Sequence, residues 1–165
     1  MSNAYHGKQI LGELSDAQVI GYSGAKADST NMVEIGGATG GQLWINVYAQ
    51  TAISIATGEY FYIELESWSA DLAASAIPPF STSNSQGINQ ATGTAESDAH
   101  YYLLHKTSAD GALVFAAGDL ITQCAIPEDM LRLLSHDFVQ LTYITDKTDP
   151  GADETVDAFV WVKPS

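Results

Sequence analysis

A chain of 165 residues is long enough for one domain that buries most of the surface its unfolded form exposes, and 45% apolar residues argue against general disorder. Asp and Glu total 20 against 6 for Lys and Arg, a net charge of −14, so the field of the whole chain repels nucleic acid and anionic lipid and leaves open a partner with a basic face. No apolar run approaches the roughly 20 residues that cross a bilayer and no basic leader precedes one, so the expectation is a soluble protein with neither nucleic acid nor membrane as a partner.

In chain order, the polar opening MSNAYHGKQ starts a segment, residues 1–14, expected to be an N-terminal arm ordered by a neighbour, with Tyr5, Ile10 and Leu14 as its apolar contacts. Residues 15–165 are expected to form a single domain. NMVEIG at 31–36 is the first strand candidate. QLWINVYAQ at 42–50 alternates cleanly, with Leu43, Ile45 and Val47 on one side and Trp44, Asn46 and Tyr48 on the other. YFYIELESW at 60–68 repeats the pattern, Phe61, Ile63 and Leu65 lying opposite Tyr60, Tyr62, Glu64, Glu66 and Trp68.

Residues 69–99 break the periodicity. Pro78 and Pro79, with many Ser, Thr, Asn and Gly residues, deny this stretch a continuous helix or ladder. A loop of this length in a small domain is often functional, and Ile77, Phe80 and Ile88 are its anchors, either to its own core or to a partner. HYYLLHK, ALVFAA and LITQCAI follow as strands, the last holding Cys124, which has no second cysteine for a bridge or a zinc site and is expected as a buried thiol. EDMLRLLS, after Pro127, predicts a turn or two of helix or an irregular edge strand. FVQLTYIT and TVDAFVWVK close the series, separated by the acidic loop DKTDPGADE at 146–154. About eight strands without helices for parallel crossovers predict an all-β fold: an antiparallel β-sandwich of jelly-roll type with an extended arm and a long loop.

The candidates for chemistry are few. Glu64 and Glu66, two apart on a strand, share a face beside Tyr62 and Trp68, and such a pair resembles the two acids of a glycosidase cleft. Two carboxylates on one strand more commonly decorate a solvent face, and that is the expectation here. His6, His100, His105 and His136 are widely separated, and the odd spacing of His100 and His105 puts them on opposite sides of a regular strand. The run Ser135, His136, Asp137 supplies adjacency without the geometry of a triad. No phosphate loop, dinucleotide turn or HExxH pattern is present. Asp146, Asp149, Asp153 and Glu154 have the hardness calcium prefers but not the EF-hand pattern, so a solvated acidic turn is expected. The expectation is therefore no catalytic residue, no metal and no cofactor.

The aromatics are more informative. Trp44 and Tyr48, Tyr60 and Tyr62 with Trp68, and Phe159 and Trp161 fall opposite the aliphatic rows, more large apolar groups than one core-facing stripe needs. They are expected to form a second packed layer or a subunit interface, where buried aromatics carry much of the binding energy.

The stretch LSDAQVIGYSGAKADSTNMVEIGG, with its SDAQ element at Ser15–Gln18, its STN at Ser29–Asn31 and the apolar strand and glycine at Met32–Gly37, resembles the opening of the Bbp16-like family of tailed-phage capsid cement (decoration) proteins. The LWINVYA, FVQLTYIT and VDAFVWV strands are similar to that family's core, whereas residues 69–99 depart from its short loop. The resemblance implies a structural protein on the outer surface of a virion capsid, arranged as a homotrimer, whose partner is the major capsid protein and which stabilises contacts between capsid subunits. The contacts would come from Tyr5, Ile10, Leu14, Trp44, Tyr48, Tyr62, Trp68, Ile77, Phe80, Ile88 and Trp161. Two other readings compete: a carbohydrate-binding module with Tyr60, Tyr62 and Trp68 as stacking platform and Glu64 orienting hydroxyls, and a polysaccharide hydrolase using Glu64 or Glu66.

Overall fold

The structure, a computed structural model, describes residues 9–35, 41–68, 100–106, 111–126, 138–148 and 153–164. Its strands are β1 (Gln9–Val19), β2 (Lys26–Asp28), β3 (Val33–Glu34), β4 (Gly41–Ala49), β5 (Ile53–Ile55), β6 (Phe61–Trp68), β7 (His100–Lys106), β8 (Leu113–Phe115), β9 (Leu120–Ala125), β10 (Phe138–Thr145) and β11 (Thr155–Pro164). One four-stranded sheet, sheet A, has the order β1-β11-β4-β9; a second, sheet B, has β3-β10-β6-β7; β5 and β8 pair separately. Among the described residues every ladder is antiparallel, and the all-β expectation holds.

Period-two alternation builds the core. Ile45 and Val47 of β4, Phe61, Ile63 and Leu65 of β6, Val139 and Leu141 of β10, and Val156, Ala158 and Val160 of β11 are fully buried and belong to one cluster fed by both large sheets. Each Val, Ile, Leu or Phe so buried contributes about 1.5–3 kcal/mol relative to exposure. Across that core the Ser15 hydroxyl of sheet A meets the Tyr143 hydroxyl of sheet B at 2.8 Å. Burial pushes the Tyr143 phenol up while the Ser15 bond pulls the other way. Where β1 approaches β3 only glycine fits: a Cβ on Gly12 would come within 2.8 Å of the Val33 side chain.

The arm boundary needs correction. Residues 9–14, expected within an arm, are part of β1, which pairs with β11 from Gln9 opposite Val162 to Val19 opposite Thr155. Leu14, expected as a contact residue, is fully buried in the core and has no surface to offer. Register shifts at Ile10/Gly12, Glu13/Ser15 and Ser15/Gln18 explain why the strand escaped notice: each extra residue breaks the alternation that identifies a strand. At the last bulge Ala17 takes a φ of 51°, and its amide donates to Asp157 Oδ1 at 2.9 Å.

After β1 the chain turns at Tyr22–Ala25, where Ser23 and Gly24 have φ of 54° and 77° and the Ala25 amide donates to the Tyr22 carbonyl at 2.9 Å. Positive φ at both central residues is the type I′ geometry. Residues 20–31 then run along the edge of β10 opposite β6. Thr145 donates to Gly21 O at 3.0 Å, Gly24 to Thr145 O at 2.8 Å and Ser29 to Leu141 O at 2.7 Å, while the Leu141 amide donates to Ser29 Oγ at 3.1 Å. This course carries Lys26 and Asp28 to the outer side of sheet B. The expected loop 69–99 and the helical turn at 128–135 lie outside the described residues.

Candidate functional site

Two outer faces bear on function. On sheet A, register sets Ile10, Trp161, Trp44 and Ala125 in one row across all four strands, with Glu13, Phe159, Asn46 and Gln123 in the next and Asp157, Tyr48 and Leu120 beyond. Trp44 and Trp161 stack at 6.0 Å between ring centroids, and Tyr48 and Phe159 at 5.8 Å. Asn46, completely buried between the two pairs, was missed in the sequence. Its Oδ1 accepts from Trp161 Nε1 at 2.8 Å and Gln123 Nε2 at 2.9 Å, and its Nδ2 donates to the Tyr48 hydroxyl at 2.8 Å. A lone amide amid aromatics on an alternating strand was the available signal.

Exposure grades across this face. Phe159 and Trp161 are buried, Trp44 and Tyr48 half-buried, and Ile10 and Leu120 each 44% exposed. Trp44 Nε1 donates to Gln42 Oε1 at 3.2 Å, and the Lys163 ammonium sits 5.4 Å from the Trp44 ring centroid, a cation–π contact. Near Phe159, partial burial followed by the charges of Asp16 and Asp157 pushes the Glu13 carboxyl up. The arrangement is an apolar row with charged groups beside it, suited to contact with another surface.

The outer face of sheet B is polar and closed. Glu64 and Glu66, expected to face solvent, are 1% and 2% exposed, which corrects that expectation; the spacing did place them on one face. They are enclosed partly by the 20–31 segment. Lys26 Nζ reaches Glu64 Oε2 at 3.5 Å, and Thr142 Oγ1 donates to Asp28 Oδ1 at 3.0 Å while also contacting Glu66. Burial, aided by Asp28 and Glu64 and opposed by Lys26 and Thr142, pushes the Glu66 carboxyl up to about 8.

On the far side of β6, the register pairs Glu66 with His100, Glu64 with Tyr102 and Tyr62 with His105, with a shift between the Ile63 and Glu64 pairs. The shift means that β7 is not the regular strand on which the spacing argument for the two histidines rests. Tyr60 and Tyr62 come together, their rings stacked at 4.5 Å and 14°, each turning one face to the other. Trp68 ends β6 opposite Phe138. Tyr5, Ile77, Phe80 and Ile88 lie outside the described residues.

Glu154 is not part of a solvated turn. It is 7% exposed, and its Oε1 accepts from Lys147 Nζ at 2.7 Å and the Ser54 amide at 2.9 Å. Asp146 accepts from the Tyr60 amide at 2.6 Å. These carboxylates tie loops to β5 and β6. Among the described residues no three His, Cys, Asp or Glu side chains are placed to hold a metal ion, and no helix is long and apolar enough to cross a membrane. Cys124 is half-buried, its thiol donating to the Ala125 carbonyl at 3.1 Å, with burial pushing its pKa up. No protein-family model, curated protein or solved structure matches the chain.

Proposed function

We propose that this chain is a structural capsid cement protein, a jelly-roll-like sandwich that attaches as a homotrimer to the outer surface of a phage capsid and stabilises contacts between major capsid subunits. The observation that supports attachment is the outer face of sheet A. A sheet face turned away from the core ordinarily carries polar residues, yet here half-buried Trp44 and exposed Ile10 flank Trp161, which is itself buried and serves as their support rather than as contact surface. The capsid as the partner rests on the sequence resemblance. Binding of this kind needs no pocket: several modest contacts repeated over a lattice raise occupancy through effective concentration.

The test is sedimentation of the purified chain with capsids assembled without it. Saturable co-sedimentation at a stoichiometry fixed by the lattice is the expected result, with Trp44→Ala weakening it by roughly 30-fold, the effect of losing an interface anchor worth about 2 kcal/mol. A chain that ignores intact capsids sinks the reading. Full-strength binding by the folded Trp44→Ala protein removes sheet A from it.

A further inference from the structure

The ribbon of β5 and β8 repeats one design twice. Each strand runs into a β-turn, Ala56–Glu59 after β5 and Ala116–Asp119 after β8, and the two turns share their bonds. The Glu59 amide donates to the Ala56 carbonyl at 3.1 Å, and the Asp119 amide to the Ala116 carbonyl at 3.0 Å. In return the Ala56 amide donates to the Glu59 carboxylate at 2.8 Å, and the Ala116 amide to that of Asp119 at 2.7 Å. Glycine stands third in both, Gly58 with a φ of 106° and Gly118 with 91°, where a type II turn needs positive φ. Since β5 and β8 are antiparallel, an approximate two-fold axis through the Ser54–Val114 pair relates the two halves.

Directly opposite residues of an antiparallel ladder either bond to each other or both point outward. Ser54 gives its N–H to Glu154 Oε1 at 2.9 Å, and its carbonyl accepts from Lys147 Nζ at 2.7 Å, so it faces away from β8. Val114 therefore turns its own N–H and carbonyl away from β5, at the other edge. There it has no hydrogen-bond partner among the described residues, and it is 73% exposed. One edge of the ribbon is filled by an acceptor and a donor; its equivalent is bare. Residues 111–118, GALVFAAG, carry no charge to ward off another strand, and Ala112, Ala116 and Ala117 are exposed with Val114. We propose that the outer edge of β8 docks an extended segment of a positively charged partner chain, which adds as a strand: its main chain accepts from the Val114 N–H and donates to the Val114 carbonyl. Charge selects such a partner, since the chain carries −14 and the exposed Asp119 closely follows β8. A second copy brings the same −14, and a strand of three residues buries far less than the roughly 1,200 Å² that a stable dimer needs. This docking does not rest on the outer face of sheet A.

An NMR titration of the full chain with an end-capped Lys-Thr-Val-Thr-Val-Lys peptide tests this. Saturable movement of the Val114 amide is expected with a Kd of about 1 mM, in keeping with a few main-chain bonds and one apolar contact. Proline is tolerated on an edge strand where the missing N–H faces solvent, so Val114→Pro should fold, and it should bind at least about tenfold more weakly. The same peptide N-methylated at its Thr and Val amides keeps its charges but loses its strand hydrogen bonds, and it should leave Val114 unmoved. A Val114 amide that stays still at about ten times that concentration overturns the proposal. Equal movement with the methylated peptide also overturns it, by reducing the contact to charge alone, and so does equal affinity in Val114→Pro, which puts binding elsewhere. Should Val114→Pro not fold, the methylated peptide decides. Val114 shifts that follow protein concentration without peptide would make a second copy the occupant, and the proposal would fall.

Discussion

Tyr143 and Ser15 show how much a single pair of hydroxyls can hold. Both are fully buried, and each satisfies the other across the two sheets. Tyr143→Phe leaves the Ser15 hydroxyl without that partner inside the core and is expected to lower the unfolding free energy by about 1–3 kcal/mol. Ser15→Ala should cost a similar amount, and the double variant less than the sum of the two; denaturant melts of the four proteins measure this coupling, and strict additivity would mean the bond contributes nothing. In the sequence, Tyr143 was legible as a member of a strand and Ser15 as part of a motif, but nothing linked them, because their meeting depends on how two sheets face each other. Glu64 and Glu66 mark the same limit. Their spacing revealed a shared face, whereas the approach of Lys26 and Asp28 to that face was nothing strand periodicity pointed to.

At the level of elements, legibility followed regularity. β4 and β6 alternate without interruption and were readable with their inward residues named, and β10 and β11 were readable as strands. β2 and β5 are three residues long, too short for a period to emerge. β1 is long but bulged, and the SDAQ stretch that carries the resemblance sits at its irregular end: Ser15 holds Tyr143, Ala17 holds Asp157, and Gln18 Oε1 accepts from Thr30 Oγ1 at 3.0 Å. In this chain those residues shape a strand. Leu14→Ala is therefore expected to cost about 2–5 kcal/mol in thermal or denaturant unfolding, while Ile10→Ala, at an exposed site, should stay within about 0.5 kcal/mol. Removal of residues 1–14 should accordingly weaken the fold itself. A truncated protein as stable as the full chain would show that sheet A tolerates the loss of this half of β1.

For the whole molecule, charge is the property that can be tested most directly. A net charge of −14 gives the proposed attachment an electrostatic component if the partner surface is basic. Raising salt from about 0.05 to 0.5 M shortens the screening length from above about 10 Å to below 8 Å, and capsid occupancy in the sedimentation assay is expected to fall with it. Occupancy that does not change would leave the apolar row of sheet A to carry attachment alone. What the sequence conveyed at this scale was class and polarity. The partner stayed hidden, since alternation assigns residues to faces without saying what rests against them.

The order of strands in sheet A bears on how the chain is made. β11 lies between β1 and β4, so the first and fourth strands to leave the ribosome have no direct contact in that sheet until residues 155–164 emerge between them. Until then both must wait with hydrogen-bonding edges bare, in a topology dominated by distant pairings that folds slowly. A nascent chain stalled before Thr155 should thus be a sticky one, prone to pair with its neighbours on the same message, and the interval before β11 docks becomes the one in which a chaperone matters most.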